Sequence, residues 1–149
     1  GVFYPMQTFS KQREVNFEEV PFFVEANSKE DVELLKAIAA TLSEKVYEVT
    51  SEQRKSLHLA AVFTCNFTNH MFALAAELLD KYHLPFEVML PLIDETARKV
   101  HELTPYDAQT GPAVRYDENV INHHLTMLED TPELQEIYKL ISKSIHEHH

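Results

Sequence analysis

The sequence predicts an α+β fold, mainly a helical bundle preceded by a small β-α-β unit. Three observations lead there. Glycine occurs only at Gly1 and Gly111 in 149 residues, against a usual share of about 7%, which disfavours a β fold punctuated by glycine turns. Short strand-like runs rich in β-branched and aromatic residues are read within residues 1–50. From Ser51 onward, apolar residues recur at helical spacing.

Each element follows in order. Val2-Phe3-Tyr4 reads as a strand that ends at Pro5, and Glu19 to Glu25 is an apolar run of strand length with Pro21 near its start. Ser28-Lys29-Glu30-Asp31 opens a helix in the manner of a capping box, with Asp31 where Glu or Gln is more usual. Val32, Leu35, Ile38, Ala39 and Leu42 form that helix's apolar stripe, and Val46 to Val49 is a further short strand. The simplest arrangement is a parallel pair with the helix on one face.

A long helix is predicted from Ser51-Glu52-Gln53 to about Leu79 or His83. Its middle, Leu57 to Ala76, is apolar on nearly every face, as expected of a helix enclosed by others. A second helix spans about Glu87 to Leu103, with Leu92, Ile93, Ala97 and Val100 along one side. Pro91 either kinks it or marks its first turn. Asp117 caps a third helix running to Leu128, and Thr131-Pro132-Glu133 opens a fourth. The division expected is residues 1–50 as the α/β piece and 51–149 as the helical domain.

Composition excludes several functions. A net charge of −11 argues against nucleic acid, whose phosphates require clustered Lys and Arg. No uninterrupted apolar run nears the ~18 residues of a membrane span, so no membrane partner is expected. Cys65 is the only cysteine, which fits a reducing cytoplasm. Two glycines cannot build a G-x-G-x-x-G or Walker loop, so the chain by itself has no nucleotide cradle.

Arg54, His58, Cys65 and Asn69 stand out on the long helix. At about 100° per residue they fall within roughly 60° of one another. Polar groups on so apolar a helix need partners, supplied either by a structural network or by a pocket that a ligand completes. Facing a pocket, His58 could act as general acid or base. The segment Thr104 to Arg115 is long for a helix–helix connection and carries Gly111 beside Pro112. Its Gln109, Thr110 and Arg115 could hold an anionic or carbonyl-bearing ligand, or Arg115 could pair with a surface acid. Nine histidines include no H-E-x-x-H motif, and no metal site is expected. Cys65 has no evident activating partner, so it is not expected to be a nucleophile.

The motifs GVFYPMQTFSK, SEQRKSLHLAAVFTCNFTNH and AQTGPAVRYDENVINHH resemble the domain of unknown function 2520 that follows a Rossmann-like domain in a family of oxidoreductases. That family is similar to the 6-phosphogluconate dehydrogenase and pyrroline-5-carboxylate reductase groups. In those enzymes an N-terminal domain binds NADP or NAD, and a helical C-terminal domain dimerises and closes over the nicotinamide. The resemblance implies that Val2 to Tyr4 is a late strand of a Rossmann-like sheet, with Gln7 and Thr8 near the nicotinamide. Arg54, His58, Asn66, Asn69, Thr110 and Arg115 lie in the matching segments. The related dehydrogenases often use a Lys and an Asn on the corresponding helix. Here no Lys shares the face of Arg54 and Asn69, and His58 is the nearest substitute. The expected role is the substrate-binding and dimerisation part of an NADP- or NAD-dependent oxidoreductase acting on a small molecule as a homodimer. No cofactor is expected on this chain alone, which by itself would be inactive. The alternative is a non-catalytic helical interaction module.

Overall fold

A computed structural model describes residues 1–149. The fold is α+β, as the sequence predicts: a sheet at the N-terminus followed by helices. Strands β1 (Val2–Pro5), β2 (Phe22–Glu25) and β3 (Val46–Glu48) form one sheet in the order β1-β2-β3. β1 runs antiparallel to β2 with Tyr4 opposite Phe23, and β2 runs parallel to β3 with Phe22 opposite Val46. Helix α1 (Lys29–Ala40) makes the crossover between the parallel strands. Its cap differs slightly from the expected box. Asp31 is one methylene shorter than Glu, and its carboxylate accepts from the Ser28 hydroxyl at 2.7 Å while the Asp31 amide donates to that same oxygen at 3.1 Å.

The chain divides into two compact units, Gly1–Phe72 and Ala73–His149. The first holds the main core. Val20, Phe22, Val24 and Ala39 are buried together, with Phe3, Val15, Leu35 and Val46 packed around them. Alternation along β2 sends Phe22 and Val24 into this core and leaves Phe23 and Glu25 on the other face.

The long helix runs from Ser51 to Asp80. It comprises α2 (Ser51–Ala61), a π-helical segment (Val62–Phe67) and α3 (Thr68–Asp80). A full capping box closes its start: Thr50 Oγ1 accepts from the Gln53 amide at 3.2 Å, and Gln53 Oε1 accepts from the Thr50 amide at 2.9 Å. None of the helix's residues is buried, and Leu59 and Phe63 are 61% and 60% exposed. An all-round apolar surface signals burial somewhere, but not which chain provides it. By length and composition the helix could also cross a bilayer, which counting uninterrupted apolar runs did not register; that alone does not establish insertion.

In the second unit a 3-10 turn (Phe86–Met89) leads into α4 (Leu90–Glu102), followed by α5 (Glu118–Met127) and α6 (Pro132–His148). Pro91 stands in the first turn of α4, where its missing N–H costs nothing, so it starts the helix and does not kink it. Asp117 caps α5 by accepting from the Val120 amide at 3.3 Å. Ala113, Ile121 and Leu128 are buried, whereas Leu92 and Val100 of the expected α4 stripe are exposed.

Phe22 is 1% exposed at the centre of the core, so Phe22→Ala should lower the unfolding free energy by about 3–5 kcal/mol. Denaturant titration of both forms checks this; a loss under about 1 kcal/mol would mean the core is not packed as described.

Candidate functional site

The second face of the sheet carries the candidate site. Cross-strand pairing sets Tyr4, Phe23 and Tyr47 in a row, with ring centroids 6.4 Å apart for Tyr4–Phe23 and 5.4 Å apart for Phe23–Tyr47. Glu25, at the end of β2 on this face, anchors the first turn of α2. Its carboxylate accepts from the Ser51 hydroxyl, and Arg54 Nε donates to its Oε2 at 3.0 Å. The Ser51 hydrogen bond first, and Arg54 second, hold the Glu25 carboxyl below its ordinary range, with burial acting in the opposite sense.

One turn beyond Arg54, His58 Nδ1 lies 3.4 Å from the Tyr4 hydroxyl, and the two rings meet edge to face at 6.5 Å. When that hydroxyl donates to Nδ1, the ring proton resides on Nε2, which is then free to donate to a ligand.

His58 opens onto a cavity of about 670 Å³, a size suited to a small molecule. Tyr4, Met6, Gln7 and Thr8 line it from β1 and the residues just after. His58, Thr64, Cys65, Asn66, Thr68 and Asn69, with Ala61 and Phe72, line it from the long helix. The π segment explains how Asn66 comes to share this cavity. On an unbroken α-helix Asn66 would lie about 80° around from His58. The wider π turn advances each residue by less and rotates Asn66 toward the His58 face.

Five of the residues expected from sequence thus meet at one place: Gln7, Thr8, His58, Asn66 and Asn69. Arg54 does not line the cavity, because its guanidinium is engaged by Glu25. Gln109, Thr110 and Arg115 belong to the second unit. There Gly111 adopts φ +108°, a conformation that glycine takes at no steric cost. Gln109 Nε2 donates to the Thr110 carbonyl at 3.0 Å, and Arg115 is exposed with no acid paired to it. The surface ion pair considered for Arg115 is therefore not formed.

Tyr4, Thr64 and Thr68 were not anticipated. Strand parity was the signal available for Tyr4, since it shares a face with Glu25. Thr64 and Thr68 needed the π turn, which sequence periodicity does not reveal. No group of three or more His, Cys, Asp or Glu side chains is gathered where it could hold a metal.

A family model described as Domain of unknown function (DUF2520) matches residues 20–145. No curated protein matches the chain. Among solved structures, that of the "putative NADP oxidoreductase BF3122" from Bacteroides fragilis is 76% identical with a TM-score of 0.95, covering 99% of this chain and 57% of that one. Protein TM1727 from Thermotoga maritima shares the fold with a TM-score of 0.80 at 24% identity, covering 98% of this chain and 60% of that one. The chain therefore spans less than two thirds of the length of either relative.

The Glu25 anchor gives a signed pH dependence. A carboxyl whose folded pKa is depressed adds stability that is fully present above its unfolded value, near ~4.3, and is lost as pH falls through the folded value. The native chain should therefore unfold at a higher denaturant midpoint than Glu25→Gln at pH 7, and the gap should narrow progressively below about pH 4.3. A gap independent of pH would show that the carboxylate does not anchor the helix.

Proposed function

The chain belongs to the family of the domain of unknown function 2520, and from that membership and the cavity around His58 we propose that it forms the substrate-binding and dimerisation part of an NADP-dependent oxidoreductase. The observation that carries the reading is the meeting of an imidazole, two Asn amides and the Gln7–Thr8 segment in one cavity of small-molecule size. The Bacteroides relative, described as a "putative NADP oxidoreductase", supports the cofactor assignment.

The residues present fit one end of such a cofactor. Gly1 and Gly111 provide no glycine-rich phosphate cradle, so the pyrophosphate would be held by residues outside this chain. Neutral amide and hydroxyl groups at Gln7 and Thr8 suit the carboxamide end. When bound, the nicotinamide supplies or accepts a hydride. Within this chain, His58 as an imidazolium would give its Nε2 proton to the substrate oxygen while Nδ1–H donates to the Tyr4 hydroxyl oxygen, and the neutral ring left in that tautomer would take a proton at Nε2 in the reverse direction. Asn66 and Asn69 orient the substrate through their amides.

The apolar side chains left exposed on the long helix, Leu59, Phe63 and Phe67, support a homodimer in which a second copy covers them. The same exposure favours the alternative, a non-catalytic helical module whose purpose is that contact. The lone Cys65 fits a cytoplasmic setting.

Two measurements separate these readings. The intact protein, with its nucleotide domain, should quench and shift NADPH fluorescence on titration, while the 149-residue chain should not; tight binding by the chain alone would overturn this division. In the intact protein, His58→Gln should lower kcat by about 10²–10⁴-fold with an unchanged unfolding midpoint. An unfolded variant, with no protection of the native protein by ligand, would favour the interaction module.

A further inference from the structure

We propose that the cavity selects an uncharged substrate bearing hydroxyl or carbonyl groups, and discriminates against carboxylates and phosphates. This rests on the reading of the cavity as the substrate site. None of its lining residues is Lys, Arg, Asp or Glu. Arg54, one turn before His58 on the same side of the helix, is paired with Glu25 at 3.0 Å, and Lys55 is not among the lining residues. An anion at this wall therefore meets no Lys or Arg side chain to pair with.

The orientation of the hydroxyls adds a second, chemical selection. Thr64 donates its hydrogen to the Ala60 carbonyl at 3.2 Å, and Thr68 donates to the Phe63 carbonyl at 3.1 Å. Both hydroxyl oxygens therefore turn lone pairs, not hydrogens, toward a ligand. Gln7 is complementary: its Oε1 accepts from the Thr8 amide at 2.8 Å, leaving its NH₂ group as a donor. Asn66 and Asn69 line the same cavity, and each amide carries both a donor and an acceptor. A carboxylate or phosphate accepts only, and would face the Thr64 and Thr68 lone pairs. An alcohol or polyol both donates and accepts, and matches the set.

The neighbouring surface works in the same direction. A second cavity of about 380 Å³ shares Gln7 and Thr8 and is lined by Arg13 together with Glu14 and Glu19. Its single cation is outnumbered by carboxylates, and the chain as a whole carries −11. The local field next to the cavity is therefore weakly negative and adds no attraction for a small anionic substrate.

Cys65 offers a direct probe, since it is the only thiol in the chain and lines the cavity. Iodoacetamide and iodoacetate have nearly the same size and differ by one negative charge. Their alkylation rates are measured on the folded chain and on the chain unfolded in urea. The amide-to-acid rate ratio should rise by about tenfold or more on folding, the lower end of electrostatic effects on ligand concentration. Thr68→Lys, which adds a cation at the wall, should return the ratio toward its unfolded value. A folded ratio equal to or below the unfolded one overturns the proposal, as does a ratio that Thr68→Lys leaves unchanged. Because no cofactor is present, this result is independent of NADPH titration. Failure of nicotinamide binding would remove the oxidoreductase reading while leaving the charge preference measured.

Discussion

The anchor between Glu25 and the first turn of the long helix is the constraint on which the site depends. Glu25 stands at the end of β2, and its two partners, Ser51 and Arg54, belong to one helical turn. Holding that turn at the strand's end sets where His58 lies relative to the sheet. Tyr4, across from Phe23 on the same face, then comes within 3.4 Å of the imidazole. The opposite face of the sheet has a different task. Phe22 and Val24 bury there against α1, and that apolar packing keeps the strands in register so that the polar face has a fixed geometry.

Arg54 and His58 illustrate how two residues one turn apart can diverge in role. Both lie on the same side of an α-helix, and both are potential ligand-binding groups. Arg54 is half-buried, and its Nε donates to the Glu25 carboxylate. His58 is one turn further from the sheet's end, opens onto the cavity and touches only a neutral phenol there. The result is a site whose hydrogen-bonding capacity is large and whose charge is small. A π turn immediately after α2 then adds Asn66 to the wall. Such turns interrupt the ordinary i→i+4 ladder and are found frequently where function requires an unusual side-chain direction.

Helices beyond the sheet start on clear local signals yet are sparsely buried. Capping by Thr50 and Asp117 and the proline starts at Pro91 and Pro132 make the elements locally consistent. Burial is another matter: Leu92 and Leu140 are 63% and 70% exposed. Local signals are enough to form these helices, whereas their apolar faces call for surfaces that the chain itself does not supply. This agrees with a chain that spans only 57% of its Bacteroides relative.

The α+β class, the parallel β2–β3 pair with its crossover helix, and the starts of α1, α2, α5 and α6 were determined by sequence. Each rests on contacts or conformational preferences within a few residues: alternation, capping and proline geometry. His58, Cys65 and Asn69 were likewise legible as one face, because 3.6-residue periodicity survives for that set. Tertiary structure decided the rest. Arg54 left the expected ligand set because Glu25, 29 residues earlier in the chain, captured it. Tyr4 entered because strand pairing brought it beneath α2, and Asn66, Thr64 and Thr68 gathered around a π turn that no periodic pattern announces. The apolar long helix was read as enclosed, since hydrophobicity records that a surface must be covered but not by what. Long-range pairing and the covering of apolar faces depend on which segments meet in space, and spacing along one chain does not contain that information.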